Sequence, residues 1–181
     1  MKISLIVPSR NNLKYIKWAY DSIRKNQGEH IVELCVADDA SVDGTWDWCL
    51  EVMETDSNFK AIRNEGPERL GLVILNDKLI NEVASYDICM VYHADMYLCP
   101  GALDAIEAHI KENTIVSLTR IEPPLHPDGP EKILRDFGIE PEEFNEQGLL
   151  DYLKVTDDKR TIAIADGFGV SSAFKVTQGI F

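Results

Sequence analysis

In ELCVADDASVDGTWD, residues 33–47, an apolar run stops at two carboxylates, turns through a glycine and resumes with apolar residues at helical spacing. The run at 32–37 is a bare hydrophobic stretch, the pattern of a strand buried on both faces, as in parallel sheets. ASVDG, residues 40–44, has turn composition. Beyond it Trp46, Cys49, Leu50 and Met53 fall at i, i+3, i+4 and i+7, one face of a helix. A buried strand, an acidic turn and an amphipathic helix make one βα unit.

The same alternation extends in both directions. Upstream, a strand at 3–7 is stopped by Pro8, and a helix follows with Leu13, Ile16, Ala19, Tyr20 and Ile23 on one face and Asn11 or Asn12 as its cap. Downstream come a weaker strand at 60–63, the loop NEGPERLG, a helix through Leu75, Leu79, Ile80 and Val83, and a strand at 88–92. PGAL then starts a helix carrying Leu103, Ile106 and Ile110, with a short strand at 115–118. Strands alternating with helices predict parallel βαβ units.

The pattern changes at TRIEPPLHPDGP, residues 119–130, whose four prolines and glycine predict a surface loop. An acidic helix is expected over 141–154, then a strand at 161–165 and the glycine-bearing stretch DGFGVSSAF. There is no internal repeat, and 181 residues with 45% hydrophobic content suffice for one domain, 1–181.

Charge narrows the partners. Against 18 basic residues stand 31 acidic ones, a formal charge of -13 that repels nucleic acid and anionic lipid. An anionic ligand would need a local cation or metal. No stretch approaches the roughly 20 apolar residues of a membrane span, and the opening MKISLIVPSR is too short in its apolar run for a signal peptide. Cys35, Cys49, Cys89 and Cys99 are widely spaced and read as free thiols, which fits a cytoplasmic location.

In open α/β sheets the carboxyl ends of the strands form the binding crevice. Here those ends carry Ser9-Arg10-Asn11, Asp38-Asp39 and His93-Ala94-Asp95. Each cluster has a plain alternative: Asp38 or Asp39 capping the next turn, Asn11 or Asn12 capping a helix, Asp95 capping the helix after Pro100. Together they favour one shared site. His93 and Asp95, at i and i+2 of an extended segment, share one side and are candidate ligands of one divalent cation, with Mn²⁺ better suited than Mg²⁺ to mixed imidazole and carboxylate ligation. No GxGxxG, GxxxxGK[ST] or GxSxG motif is present, which argues against dinucleotide dehydrogenases, P-loop enzymes and serine hydrolases.

Taken in order, ISLIVPSRNNLKYI, ELCVADDASVDGTWD with its Asp-Asp-x-Ser-x-Asp-Gly-Thr signature, and MVYHADMYLCPGAL resemble the opening strand, second strand and DXD segment of the family 2 glycosyltransferases. The resemblance implies an α/β GT-A fold, a Rossmann-like αβα sandwich with a mostly parallel central sheet. Residues 1–118 would form its donor-binding half and 119–181 part of the acceptor side, with DGFGVSSAFKVTQGIF resembling the segment that introduces the acceptor cleft. By the same likeness Pro8, Ser9 and Asn11 line the nucleotide pocket, and Asp39 accepts from a uracil-type base edge. Asp95 holds Mn²⁺ or Mg²⁺ on the diphosphate. Arg63, Asn64 and Arg69 lie in the nucleotide-side loop, with Arg69 as a phosphate contact.

Two departures accompany the likeness. The family usually has Asp where this chain has His93, itself a competent ligand. The family's general base lies in an acidic segment that would fall beyond Phe181, so a C-terminally truncated member is implied and the base is unassigned; Asp166 does not match its position. The implied activity is metal-assisted, inverting transfer of a sugar from a nucleotide-sugar donor, UDP-type favoured, to an acceptor left unassigned, with saccharides and lipid-linked saccharides as candidates. A non-catalytic nucleotide-sugar-binding module and a sugar nucleotidyltransferase are the alternatives.

Overall fold

β1 (Lys2–Ser9) and β2 (Ile31–Asp39) are almost wholly buried, as their apolar sequences require, and lie side by side in a parallel sheet. The computed structural model describes residues 1–125, 132–155 and the strand at 163–166, and the chain forms two compact units, Met1–Asp95 and Met96–Phe181. In the first unit β3 (Phe59–Asn64) and β4 (Cys89–Val91) complete a wholly parallel sheet in the order β3-β2-β1-β4. Helices α1 (Leu13–Asn26), α2 (Thr45–Thr55) and α3 (Gly71–Lys78) connect the strands, and α3 runs on into a π-helical turn, Leu79–Val83.

The period of two along β2 distributes the helices over both faces. Cys35 and Ala37 pack with Ile6, Leu75 and Leu79, so the odd-numbered side of β2 carries α3. Phe59, in register with Leu34, joins Tyr20 and Trp48 in edge-on ring contacts of 5.6–5.9 Å, which puts α1 and α2 on the even-numbered side. An αβα sandwich results.

The ring cluster also corrects one expectation. α2 buries Thr45, Trp48, Cys49 and Val52 rather than the stripe through Trp46, Leu50 and Met53, and Leu50 is 42% exposed. Both stripes have helical spacing, and the contacts of Trp48 with Tyr20 and Phe59 select the observed one.

Pro8 does not stop β1, which continues to Ser9. The Ser4 N–H donates to the Ile88 carbonyl and the Ile6 carbonyl accepts from Tyr92, so even-numbered residues of β1 face β4. β4 ends at Val91, opposite Ile6. The N–H that Pro8 lacks therefore falls where there is no strand to bond, and the proline costs no ladder hydrogen bond.

In the second unit α4 (Ala102–His109) precedes β5 (Thr114–Ser117), which pairs antiparallel with β8 (Ala163–Asp166). β6 (Arg120–Glu122) pairs in parallel with β7 (Lys132–Leu134), so residues 120–122 of the expected surface loop form a buried strand. Ion pairing accompanies that burial: the Glu122 carboxylate lies 2.6 Å from Arg120 Nη1 and 3.3 Å from Lys132 Nζ. The expected acidic helix is a 3₁₀ turn, Pro141–Glu143, followed by α5 (Glu146–Val155). Asn145 separates them, because its Oδ1 accepts the Gly148 N–H at 2.9 Å and so begins a new helix. Residues 126–131 of the expected loop, 161–162 of the expected strand, and the DGFGVSSAF stretch beyond Asp166 lie outside the described residues. No helix among the described residues is long and apolar enough to cross a membrane.

Candidate functional site

The register of the sheet sorts the polar strand ends into rows. Ser9 lies beside Asp38 and Asp38 beside Arg63, while Asp39 lies beside Asn64. Asp38 and Asp39, being adjacent in one strand, point to opposite faces. Asp38 is fully buried and takes Arg63 Nε at 3.3 Å and the Ser41 N–H at 3.3 Å. The Arg63 guanidinium also lies 5.6 Å from the Trp46 ring centroid and donates to the Ser41 carbonyl at 3.4 Å.

Asp39 fastens a different loop. Its Oδ1 accepts from Asn64 Nδ2 at 2.7 Å and from the Leu70 N–H at 3.0 Å, and its Oδ2 accepts the Gly71 N–H at 3.1 Å, with Arg69 Nε 3.7 Å away. Burial pushes its pKa up, but the bonds from Leu70, Asn64 and Gly71 outweigh burial and hold the carboxyl below its ordinary value. Residues 64–71 are thereby tied to the end of β2. Gly66 in that loop has φ 77°, which favours glycine, and a Cβ there would crowd the Ala40 methyl at 3.2 Å.

The turn after β2 in turn shapes the loop after β1. Asn11 sits in the left-handed region at φ 47°, its N–H donating to Ser41 Oγ and its Oδ1 accepting the Val42 N–H, each at 2.8 Å. Asn11 and Asn12 do not cap α1 with their side chains, contrary to expectation. The Leu13 N–H instead donates to Asp43 Oδ2 at 2.9 Å, while Asp43 Oδ1 accepts from the Thr45 N–H and hydroxyl at 3.1 and 2.6 Å. Reading the sequence singled out neither Ser41 nor Asp43 for these roles, although the Asp-Gly-Thr turn signature at 43–45 marked where such an acceptor sits.

From β1 the chain proceeds to β2 and β3 on one side and to β4 on the other, so the topological switch point lies between β1 and β4. Ladder pairing there stops at Ile6 and Val91, and the strand ends beyond carry Ser9 and Arg10 on one side and His93 and Asp95 on the other. Ser9 is 6% exposed and its Oγ has no hydrogen-bond partner. His93 is exposed and Asp95 half-buried. Burial pushes the Asp95 carboxyl up, and neither its own backbone N–H nor the charge of His93 restores it. It does not cap α4, whose N-cap is Gly101.

A cation would offset that half-buried carboxylate, and this chemistry fits a divalent metal. Among the described residues no group of three or more His, Cys, Asp or Glu side chains converges on a metal position. His93 and Asp95 do not lie on the extended segment expected of them: β4 ends at Val91 and residues 94–95 form a turn.

A parallel sheet covered by helices on both faces, with polar residues gathered at its switch point, is the arrangement of the GT-A glycosyltransferases, and solved structures of that class match it. S. aureus TarS 1–349 is 25% identical with a TM-score of 0.57, over 72% of this chain and 38% of that one. TarS in complex with UDP and with UDP-GlcNAc matches at TM-score 0.55 and 25% identity in each case. The mannosyltransferase PcManGT from Pyrobaculum calidifontis, in complex with GDP-Man and Mn²⁺, has a TM-score of 0.56 at 21% identity over 67% of this chain and 36% of that one, a likeness of fold. The chain belongs to glycosyl transferase family 2, whose family model matches residues 4–174. Abequosyltransferase RfbV of Salmonella typhimurium is 26% identical over 124 residues, 65% of this chain and 35% of that protein. The chain thus spans just over a third of the length of these relatives.

Proposed function

We propose that the unit Met1–Asp95 binds the nucleotide-sugar donor of a glycosyl transfer at the carboxyl ends of β1, β2 and β4, with a uridine nucleotide favoured. The observation that carries this reading is Asp95, a half-buried carboxylate at the switch point whose burial outweighs its compensation, beside His93. A divalent cation, Mn²⁺ or Mg²⁺, held by Asp95 and His93 would neutralise charge developing on the departing nucleoside diphosphate. The family match and the UDP and UDP-GlcNAc complexes of TarS support the choice of nucleotide.

The chain's own residues would divide the remaining work. Pro8, Ser9 and Asn11 border the nucleotide, with the Ser9 hydroxyl meeting an acceptor on it. A carboxylate offers roughly four lone-pair sites. Asp39 uses three on Asn64, Leu70 and Gly71 and keeps the last for a base-edge N–H. Arg69, 63% exposed at its side chain and only loosely paired to Asp39, swings to a phosphate. In the transfer the bond from anomeric carbon to phosphate oxygen breaks with its electrons leaving on the diphosphate. An acceptor hydroxyl, with saccharides and lipid-linked saccharides as the candidate classes, attacks the opposite face and gives up its proton to a general base that is unassigned, which inverts the centre.

Calorimetric titration of UDP into the chain with Mn²⁺, with Mg²⁺ and with chelator tests this. Metal-dependent binding is expected. A chain that binds no uridine nucleotide under any of the three conditions would refute the donor-site reading.

A further inference from the structure

Arg10 follows the last residue of β1 and is half-buried, with its Nη1 sealed from solvent and without a hydrogen-bond partner. Alone among the arginines of the described residues it makes no ion pair, hydrogen bond or ring contact. Arg24 pairs with Asp56, Arg63 with Asp38, Arg69 with Asp39 and Arg120 with Glu122, and Arg135 stacks on Tyr152. In a chain with 31 acidic residues, a half-buried guanidinium without a carboxylate is out of pattern, because a sealed donor loses its water and gains nothing in return.

Asp95, the carboxylate across the switch point, feels the charge of His93 and not that of Arg10, and the carboxylates at the end of β2 and in its turn are already taken. Asp38 is committed to Arg63 and Ser41, Asp39 to Asn64 and residues 70–71, and Asp43 to Leu13 and Thr45. The preceding residue, Ser9, carries a second unpartnered buried donor, so two consecutive side chains at the switch point present unmet hydrogen-bonding capacity. The complement of an unpartnered guanidinium is a group rich in oxygen acceptors.

Resting on the reading that a nucleotide occupies this strand edge, we propose that Arg10 is a binding residue of the donor site, its guanidinium donating to an oxygen acceptor of the nucleotide. Phosphate oxygens and base carbonyls share that chemistry, and a planar fork of donors serves either. Unlike Arg63, which is spent on holding the turn after β2, Arg10 has its donors available to a ligand.

The test titrates uridine, UMP and UDP, in Mn²⁺ and in chelator, into the wild-type chain, Arg10→Gln and Arg10→Lys. Arg10→Gln is expected to weaken UDP binding at least tenfold, with Arg10→Lys recovering only part of it. An equal loss for uridine assigns the contact to a base or ribose oxygen; an unchanged uridine affinity with UMP and UDP both weakened assigns it to phosphate. Thermal unfolding without ligand separates binding from scaffolding: Arg10→Gln should unfold at or above the wild-type temperature, and a drop of more than about 3 °C would overturn the proposal by exposing a structural role. Wild-type binding left within twofold by Arg10→Gln overturns this inference alone. Failure of the wild-type chain to bind all three compounds overturns it together with the donor-site reading.

Discussion

Asp43 Oδ2 accepts the backbone N–H of Leu13, thirty residues away in sequence, at 2.9 Å, so α1 is capped from the turn that opens α2. The same carboxylate holds the first residue of α2 through Thr45. One side chain thus sets the start of two helices and, with Ser41, the shape of the loop at the end of β1.

Asp43→Ala leaves the Leu13 and Thr45 N–H groups without their acceptor. A cost of about 1–2 kcal/mol is expected, read as a melting temperature lower by roughly 3–6 °C. Urea denaturation measures it, and a change within about 0.3 kcal/mol would show that water replaces the cap.

Glu33 anchors the opposite end of the sheet. Its carboxylate takes Lys60 Nζ at 2.7 Å and both the Ser4 hydroxyl and the Ser85 N–H at 2.8 Å. Burial pushes its pKa up, but Lys60, Ser85 and Ser4 outweigh it and hold it at about 2, against an ordinary 4.5. A depressed carboxyl contributes stability that is complete above its unfolded pKa and disappears as pH falls towards the folded one. That contribution is about 3 kcal/mol above pH 5, declining between pH 4.5 and 2. Glu33→Gln should lower stability at pH 7 and flatten the acid limb; an unaltered limb in the variant would assign it to other groups.

The Cys35 and Cys49 thiols are pushed up to about 12 by burial, helped by the charges of Glu33 and Asp38 respectively. Cys99 is buried and Cys89 exposed, though burial and the carboxylates of Glu33 and Asp87 raise the Cys89 thiol too. Iodoacetamide at pH 8 should therefore label native protein slowly and only on Cys89, and all four cysteines in guanidinium. Mass spectrometry that finds Cys35 or Cys49 labelled in the native state would contradict this packing.

Asp95→Asn removes a half-buried charge that the protein compensates poorly. Its two readouts should move in opposite directions: the melting temperature of the free chain holds or rises by roughly 1–3 °C, while UDP affinity in Mn²⁺ falls at least tenfold. Unchanged affinity would remove Asp95 from the donor site.

The polar ends of the strands were legible because chemistry sits where an apolar run stops, and the runs at 3–7, 32–37 and 88–92 stop at Ser9-Arg10-Asn11, Asp38-Asp39 and His93-Ala94-Asp95. The roles within those clusters were not. That Asp39 would bind residues 64–71 while Asp38 would bind Arg63 depends on register with β3, which sequence spacing does not report. Arg10 carried no local mark either, since only the commitments of its neighbours reveal that it lacks a partner.

For the unit Met1–Asp95, sequence alone determined the order of strands and helices, the parallel class of the sheet and the edge where its polar residues collect, because these follow from hydrophobic period and run length along the chain. Tertiary structure decided which stripe of α2 is buried, which carboxylate caps α1, how β1 passes through Pro8, and that Glu122 lies buried between Arg120 and Lys132. Each depends on a partner distant in the chain or on another strand, and several local answers of equal merit existed until packing and hydrogen-bond satisfaction chose among them.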